Sequence, residues 1–218
     1  MIFGKIAYLN LLPFHMFLKR YLRHSGEKKG WQMRGRVPAK VNRDFELGRV
    51  DAAVISSIKS RGRRCADMGI VAEGEVLSVL LYPGEHREDG ASETSNALAR
   101  ILGLQGRVVI GDRALRERLS GEGEAIDLAE AWRRRYGLPF VFARLCARPR
   151  HYRRIERMAR LFLRRPVRIP WRERRLAARR HGISEQALDD YLARIGYAIG
   201  WREKRALKQF FTELRKTN

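Results

Sequence analysis

The start of the chain reads IFGKIAYLNLLPFHMFLKRYL over residues 2–22. Apolar residues dominate positions 2–9, as expected for a short buried strand, and Pro13 is suited to the first turn of a helix. From Phe14 to Leu22 the apolar side chains recur at helical spacing. The stretch therefore predicts a strand, a tight loop and a helix.

The alternation of strands and helices continues through most of the chain. Further strands are predicted at VDAAVI (50–55), VLSVLLY (76–82), RVVIG (107–111) and PFVFARLCA (139–147). Helices are predicted from Pro38, over 94–102, from Asp112 and around IDLAEAWRRRYG (126–137), whereas the polar, glycine-bearing residues 24–36 are predicted as a loop. After Pro149 only helices are predicted, at 151–163, 171–181, 184–195 and 201–216. This order indicates an α/β fold with a mainly parallel sheet, in which ligands bind at the carboxyl ends of strands.

The charge balance is strongly basic. The 218 residues include 46 Lys and Arg against 24 Asp and Glu, a formal net charge of +22. The last third carries much of it, with 22 basic and 7 acidic side chains in residues 144–218. No nucleic-acid-binding motif accompanies this charge, so we expect no nucleic-acid partner and assign the arginines to a solvated face.

Composition also bears on the location of the protein. A hydrophobic content of 44% is sufficient for a globular core and excludes general disorder. No stretch approaches the roughly twenty apolar residues of a membrane span, and the N-terminus lacks the pattern of a signal peptide. A cytoplasmic protein without a membrane span is expected. Its two cysteines, Cys65 and Cys146, lie far apart in apolar segments and are predicted to be reduced, buried thiols.

Two polar residues, Asn10 and Ser78, lie next to or within predicted apolar strands. Asn10 follows the first strand and precedes a helix, where its amide can contact a ligand or simply form the turn. Ser78 interrupts the apolar run VLSVLLY, so its hydroxyl either bonds a neighbouring backbone group or faces a cleft. The local sequence does not choose between these alternatives.

Other hydroxyl and carboxyl groups lie at predicted helix starts. Ser56 and Ser57 end the strand VDAAVI, and the segment SETS (92–95) leads into a helix whose N-terminus favours a carboxylate ligand. The alternative is that Ser92 or Thr94 only caps this helix. Asp112 follows the strand RVVIG, where helix capping competes with contact to a ligand. No nucleophile elbow, phosphate-binding loop or metal-ligand spacing is present, so neither a metal nor a cofactor is predicted.

Six segments together resemble the chorismate dehydratases of the futalosine route to menaquinone. They are GKIAYLNLLPF (4–14), VDAAVISSI (50–58), EGEVLSVLLYP (73–83), SETSNAL (92–98), VVIGDRAL (108–115) and DLAEAWRRRYGLPFVFA (127–143). The resemblance implies a two-lobed α/β fold like that of the type II periplasmic binding proteins. Residues 1–80 then begin the first lobe, residues 81–143 form the second, and residues 144–218 are a helical return packed on the first lobe.

The resemblance also implies roles for individual residues. Asn10 and Ser78 occupy the positions of the key active-site asparagine and serine of the family. Thr94 and Ser95 match the turn expected to hold a substrate carboxylate. Other cleft-lining motifs contribute three further substrate-binding candidates, namely Ser56, Ser57 and Asp112.

The implied reaction converts chorismate, a dicarboxylate, to 3-[(1-carboxyvinyl)oxy]benzoate by loss of water, with no metal or cofactor. Hydrogen-bond donors aimed at the ring carboxylate can stabilise the developing charge, and the base can be the side-chain carboxylate of the substrate, as proposed for the family. The alternative, suggested by the lack of an evident acid–base pair, is a non-catalytic protein of the same fold that binds a small carboxylate. The sequence leaves the oligomeric state open.

Overall fold

Strands and helices alternate in the computed structural model, which describes residues 1–24 and 32–217. The strands are β1 (Ile2–Ile6), β2 (Gln32–Arg36), β3 (Ala52–Ser56), β4 (Cys65–Ala72), β5 (Val79–Pro83), β6 (Gly106–Ile110), β7 (Ile126–Asp127), β8 (Phe140–Ala147) and β9 (Ile195–Ala198). The helices are α1 (Leu12–His24), α2 (Pro38–Glu46), α3 (Ser57–Ser60), α4 (Glu93–Leu102), α5 (Gly111–Ser120), α6 (Leu128–Tyr136), α7 (Tyr152–Leu163), α8 (Trp171–His181), α9 (Glu185–Ala193) and α10 (Trp201–Thr217).

The strands form two separate sheets. One sheet has six strands in the order β2-β1-β3-β8-β4-β9, and the other has three in the order β6-β5-β7. The chain leaves the first sheet after Ala72, builds the second sheet, and returns to the first at Phe140. The result is a two-lobed α/β protein whose chain crosses twice between the sheets.

The directions of the strands differ from the prediction. β1 pairs in parallel with β2 and β3, but the other pairings between the described strands are antiparallel. In particular, β8 returns from the second sheet and inserts between β3 and β4, antiparallel to both. The prediction of a mainly parallel sheet is therefore wrong, because the alternation of strands and helices does not encode the direction in which a returning strand inserts.

Four strands, β2, β4, β7 and β9, lie where the sequence predicts none. The two-residue β7 falls at the start of the helix predicted around residues 126–137. β4 is an interior strand of the first sheet, between β8 and β9, whereas β2 and β9 are its two edges. β2 lies within the predicted loop at 24–36, of which residues 25–31 are outside the described part of the chain. β9 means that the prediction of helices only after Pro149 is also wrong. Edge strands pair on one side only and can be short and polar, so they carry a weak sequence signal.

The C-terminal helices pack against the first sheet and also reach the second lobe. Phe14 of α1 meets Phe162 of α7 edge to face, with ring centroids 5.2 Å apart. Phe210 of α10 lies 5.2 Å from Phe140 of β8 and 6.3 Å from Trp132 of α6, again edge to face. Such aromatic pairs add about 0.5–1.5 kcal/mol each beyond area burial. The C-terminal region is thus part of the core, in agreement with the predicted fold class.

A disulfide joins Cys65 of β4 to Cys146 of β8. The two cysteines are direct partners in the antiparallel pairing of these strands, although 81 residues separate them in sequence. The prediction of two reduced thiols is wrong for this reason: a large sequence separation says nothing about cross-strand proximity when the chain returns to the same sheet.

The predicted lobe boundaries, after residues 80 and 143, fall within β5 and β8. The segments that connect the two sheets are residues 73–78 and 137–139. The division into lobes therefore stays a prediction in its details. In the part of the chain that the structure describes, no helix has the length and apolarity needed to cross a bilayer.

Candidate active site

A cavity lies between the two sheets and is lined by both. Its polar wall consists of hydroxyl and amide side chains, namely Tyr8, Asn10, Ser56, Ser78, Ser92 and Ser95. The apolar wall includes Val54, Ile70 and Phe142 from the first sheet and Val79 and Ile110 from the second. Among the described residues, no carboxylate, imidazole or cationic side chain lines this cavity. The site offers neutral hydrogen-bonding groups in an apolar surrounding.

Four of the seven residues predicted from the sequence meet in this cavity. They come from four different segments: Asn10 from the turn after β1, Ser56 from the end of β3, Ser78 from the crossing between the sheets, and Ser95 from the first turn of α4. The structure thus brings both proposed catalytic residues to one cavity.

The other three predicted residues do not line the cavity and instead bond to nearby backbone. The Ser57 hydroxyl donates to the Val141 carbonyl, and Thr94 Oγ1 accepts from the Ile58 N–H at 3.3 Å. Asp112 Oδ1 accepts from the Leu9 N–H at 3.0 Å. Of the two roles that the sequence left open for Asp112, capping is not observed, because its carboxylate bonds the Leu9 N–H and not its own helix.

A strained turn presents Ser78 to the cavity. Leu77, the preceding residue, has φ +61°, the one positive φ among the described non-glycine residues. The Asp127 carboxylate holds this turn by accepting the N–H groups of Val76 at 2.9 Å and Leu77 at 2.8 Å. Its other oxygen caps α6 through the Ala129 and Glu130 N–H groups. A bulky residue persists in this conformation only when its surroundings impose it, and such strain is concentrated at functional sites.

Asn10 lies in a 3₁₀ turn, Leu9–Leu11, that is bonded on both sides. Asp112 accepts the Leu9 N–H, and the Tyr197 hydroxyl donates to the Asn10 carbonyl at 2.7 Å. The amide side chain of Asn10 is left on the cavity wall. The backbone bonds fix where that amide points.

Ser56 is paired with a buried asparagine of α2. The Ser56 N–H donates to Asn42 Oδ1 and Asn42 Nδ2 donates to Ser56 Oγ, both at 3.1 Å. Asn42 is 3% exposed. This reciprocal pair connects α2 to the end of β3 and places the Ser56 hydroxyl at the cavity.

Ser92 and Ser95 form the N-terminus of α4. Ser92 Oγ accepts the Ser95 N–H at 3.2 Å, so Ser92 caps α4 and also lines the cavity. The Ser92 hydroxyl also donates to Ser95 Oγ at 2.8 Å. A helix N-terminus that opens on a cavity favours an anionic group there.

A larger cavity, of about 930 Å³, lies between α1 and α8. It contains none of Asn10, Ser56, Ser78 and Ser95. The smaller cavity, of about 80 Å³, combines polar groups from both sheets and is therefore the candidate active site.

Comparison with known proteins identifies the family. The family model for menaquinone biosynthesis matches residues 1–106 and 102–216. A chorismate dehydratase from Campylobacter jejuni is 39% identical over 223 aligned positions, covering 100% of this chain and 99% of the relative. The chain belongs to the menaquinone biosynthesis family.

Several solved structures have the same fold as this protein, although their sequence identity to it is low. A protein from Archaeoglobus fulgidus aligns with a TM-score of 0.66 at 11% identity, over 99% of this chain and 96% of that one. The periplasmic aliphatic sulphonate binding protein of Escherichia coli aligns with a TM-score of 0.53 at 12% identity, over 100% and 96%. The predicted periplasmic-binding-protein-like fold is confirmed; at these identities the likeness shows the fold alone.

The phenols around the site of this family member remain protonated at neutral pH. Burial, together with the charges of Asp89 and Asp112, raises the pKa of Tyr8 to about 12. Burial also raises the pKa of Tyr191 and of Tyr197 well above the ordinary value. These groups can donate hydrogen bonds but are not bases.

The residues that support the site are the ones that sequence reasoning missed. Tyr191 donates to Ser78 Oγ, and Asp127 holds the turn that precedes Ser78. Tyr197 and Asn42 hold the segments of Asn10 and Ser56. Asp127 had a detectable signal, since an aspartate before a helix is a preferred cap. The two tyrosines had none, because α9 and β9 reach the site only through the order of strands in the first sheet. In the described ranges, no group of three or more His, Cys, Asp or Glu side chains is arranged to hold a metal ion.

Proposed function

We propose that this protein dehydrates chorismate to 3-[(1-carboxyvinyl)oxy]benzoate, the first step of futalosine-dependent menaquinone biosynthesis. One observation carries the proposal: Asn10 and Ser78 lie on one cavity together with Ser56 and Ser95. The 39% identity to a chorismate dehydratase over the whole chain supports the same activity.

The reaction needs little from the protein beyond charge stabilisation and orientation. The C–H bond at the ether-bearing ring carbon breaks, its electrons delocalise through the ring alkene to the ring carboxylate, and the neighbouring hydroxyl leaves. The released proton and hydroxide make one water, and the product ring is aromatic. Donors aimed at the ring carboxylate stabilise the charge that develops on it, and removing one such donor typically costs about a hundredfold to a thousandfold in rate.

We assign the donors of the cavity to the two carboxylates of the substrate. Asn10 and Ser78 bind the ring carboxylate, and Ser56 and Ser95 bind the side-chain carboxylate at the α4 N-terminus. Because the described wall carries no carboxylate or imidazole, the side-chain carboxylate of chorismate is the base. Ser57, Thr94 and Asp112 act by holding the segments that carry these donors.

The volume of the cavity is too small for the substrate unless the two lobes move apart. Its volume of about 80 Å³ is below the roughly 300 Å³ of small-molecule pockets. We propose that the lobes, predicted as 1–80 with 144–218 and as 81–143, open about residues 73–78 and 137–139. Closure then excludes water from the bound substrate.

A positive protein attracts a dianionic substrate. The net charge of +22 acts over about 8–10 Å at cellular ionic strength. We also propose a cytoplasmic location for the protein. Because disulfides are uncommon there, the oxidation state of Cys65 and Cys146 should be measured in a cell extract.

The test is a time course of the purified protein with chorismate, followed by mass for loss of one water. We expect turnover, and a loss of about a hundredfold or more in kcat for Asn10→Ala and for Ser78→Ala. Ser120→Ala is the matched control, since that hydroxyl is exposed and bonds only the Glu117 carbonyl. Chorismate that is bound and recovered unchanged would identify a non-catalytic binding protein instead.

A further inference from the structure

The buried Tyr191 donates a hydrogen bond to Ser78 from the side of Ser78 that faces away from the cavity. The Tyr191 hydroxyl lies 3.0 Å from Ser78 Oγ, and the Tyr191 side chain is wholly buried between α9 and the cavity wall. Burial raises the pKa of Tyr191, with the charges of Asp112 and Tyr8 acting in the same direction, whereas hydrogen bonding with Ser78 and Asn10 opposes the shift. The phenol therefore keeps its proton and serves as a donor.

The orientation of the Asn42 amide follows from its partners. The Ser56 N–H can only donate, so the Asn42 atom facing it at 3.1 Å is the amide oxygen. The amide nitrogen then faces Ser56 Oγ, also at 3.1 Å, and nitrogen can only donate. Ser56 Oγ is thus an acceptor on its protein side, as Ser78 Oγ is.

A hydroxyl that accepts on one side is directed to donate on the other. Each serine hydroxyl has one proton and two acceptor lone pairs. Within residues 1–24 and 32–217, no protein group accepts the proton of Ser56 or Ser78, and both side chains line the cavity. Each of these two hydroxyls can therefore donate its proton to a ligand in the cavity, which suits an anionic ligand.

We propose that Tyr191 and Asn42 are positioning residues that direct the hydroxyls of Ser78 and Ser56 to donate to the carboxylates of the substrate. This inference rests on the proposed function. Neither residue touches the substrate. Asn42 acts through Ser56, whereas Tyr191 acts through Ser78 and also hydrogen-bonds the side chain of Asn10.

The first experiment is a double-mutant cycle between Tyr191→Phe and Ser78→Ala. The measured quantities are kcat/KM for chorismate and, for variants with little turnover, the Kd of 3-[(1-carboxyvinyl)oxy]benzoate by calorimetry. We expect Tyr191→Phe to lower kcat/KM and weaken product binding about tenfold, the scale of one lost hydrogen bond. In the Ser78→Ala background the same substitution should weaken product binding clearly less, because only the hydrogen bond with Asn10 is then left to lose.

Tyr197→Phe is the matched control. It removes the same hydroxyl from the same region, but that hydroxyl bonds the Asn10 carbonyl and not Ser78. Its effect should therefore persist in the Ser78→Ala background. An equal effect of Tyr191→Phe in both backgrounds would overturn the role of Tyr191, as would unchanged activity and binding in the single variant.

The second experiment replaces Asn42 with aspartate, which has the same shape but only acceptor oxygens when ionised. Asn42→Asp draws the Ser56 proton away from the cavity, so product binding should weaken at least tenfold, and by clearly less in a Ser56→Ala background. Equal weakening in both backgrounds would overturn this part. Thermal unfolding of each variant monitors folding, and absence of chorismate turnover by the wild-type protein would contradict the proposed function but not the product-binding cycles.

Discussion

The backbone N–H of Leu9 donates to Oδ1 of Asp112 at 3.0 Å, although 103 residues separate the two. The other carboxylate oxygen of Asp112 lies 3.1 Å from Nδ1 of His181. Burial raises the pKa of Asp112, and the Leu9 bond and the His181 charge oppose the shift. The residue that precedes Asn10 is therefore tied to the first turn of α5 in the second lobe.

Replacing Asp112 should disturb Asn10 without touching the cavity. Asp112→Ala leaves the buried Leu9 N–H without its acceptor, and we expect about 1–3 kcal/mol lower stability and about tenfold lower kcat/KM. Asp112→Asn keeps an acceptor oxygen and should lose clearly less of both. Urea unfolding and chorismate kinetics measure the two effects. Equal losses in the two variants would show that the charge matters and that the Leu9 bond does not.

Gly111 is expected to be essential for the position of Tyr8. Gly111 has φ +66°, and a Cβ there would lie 2.7 Å from the Tyr8 ring, which lines the cavity. Gly103 has a similar φ of +71°, but a Cβ at that position would have no neighbouring atom within 4 Å, so Gly103→Ala is the matched control. We expect both alanine variants to lose about 1–2 kcal/mol of stability from the left-handed backbone. Only Gly111→Ala should also lower kcat/KM, and full activity of that variant would contradict the expectation.

The disulfide closes a loop that contains the whole second sheet. Cys65 and Cys146 are 81 residues apart, and β5, β6 and β7 lie between them. Removing the bond in a Cys65→Ala, Cys146→Ala double variant should lower the free energy of unfolding by about 2–4 kcal/mol. Reductant should shift the urea midpoint of the wild-type protein but not that of the double variant. Alkylation of both cysteines in denatured, unreduced protein would show that the bond is absent.

His15 should make the fold sensitive to acid. Burial and the charge of Lys5 lower the pKa of His15 to about 3, against 6.5 for the free side chain. Between these values the unfolded chain binds a proton that the folded protein does not, so stability falls as the pH drops from about 6.5 towards 3. We expect the wild-type protein to lose about 2 kcal/mol more than His15→Gln between pH 7 and pH 4.5.

Denaturant titrations of both proteins at the two pH values measure this difference. His15 lines the larger cavity between α1 and α8. The other titratable groups of that cavity are present in both proteins, namely Lys5, Tyr8, Lys19, Arg23, Glu173, Arg180 and His181. An identical loss of stability in wild type and variant would show that His15 is protonated in the folded protein.

Local sequence was sufficient for the elements that carry their own signals. α4 begins after Ser92, whose hydroxyl accepts the Ser95 N–H, and ends at Gly103 in the left-handed conformation. α8 has the predicted bounds, residues 171–181, and ends at Gly182 in the same way. These signals are readable because the groups they satisfy lie within four residues of the helix end.

In the candidate site as well, residues with a local sequence signal were predictable and their distant partners were not. Asn10, Ser56, Ser78 and Ser95 were predictable as polar residues at element boundaries or in apolar runs, supported by the family resemblance. Their partners were not. Tyr191 is 113 residues from Ser78, and Tyr197 is 187 residues from Asn10.

The amino-acid sequence alone determined the family, the alternation of strands and helices, and four of the polar residues that line the cavity, because these depend on side-chain identity and on neighbours a few residues away. The tertiary structure decided which strands pair and in which direction, that Cys65 meets Cys146, and that Tyr191 stands behind Ser78. Those contacts follow from the insertion of β8 between β3 and β4 and from the addition of β9 at the edge of the first sheet. Contacts between residues that are about a hundred positions apart depend on how whole sheet faces are buried. No single segment of the sequence carries a signal for that burial.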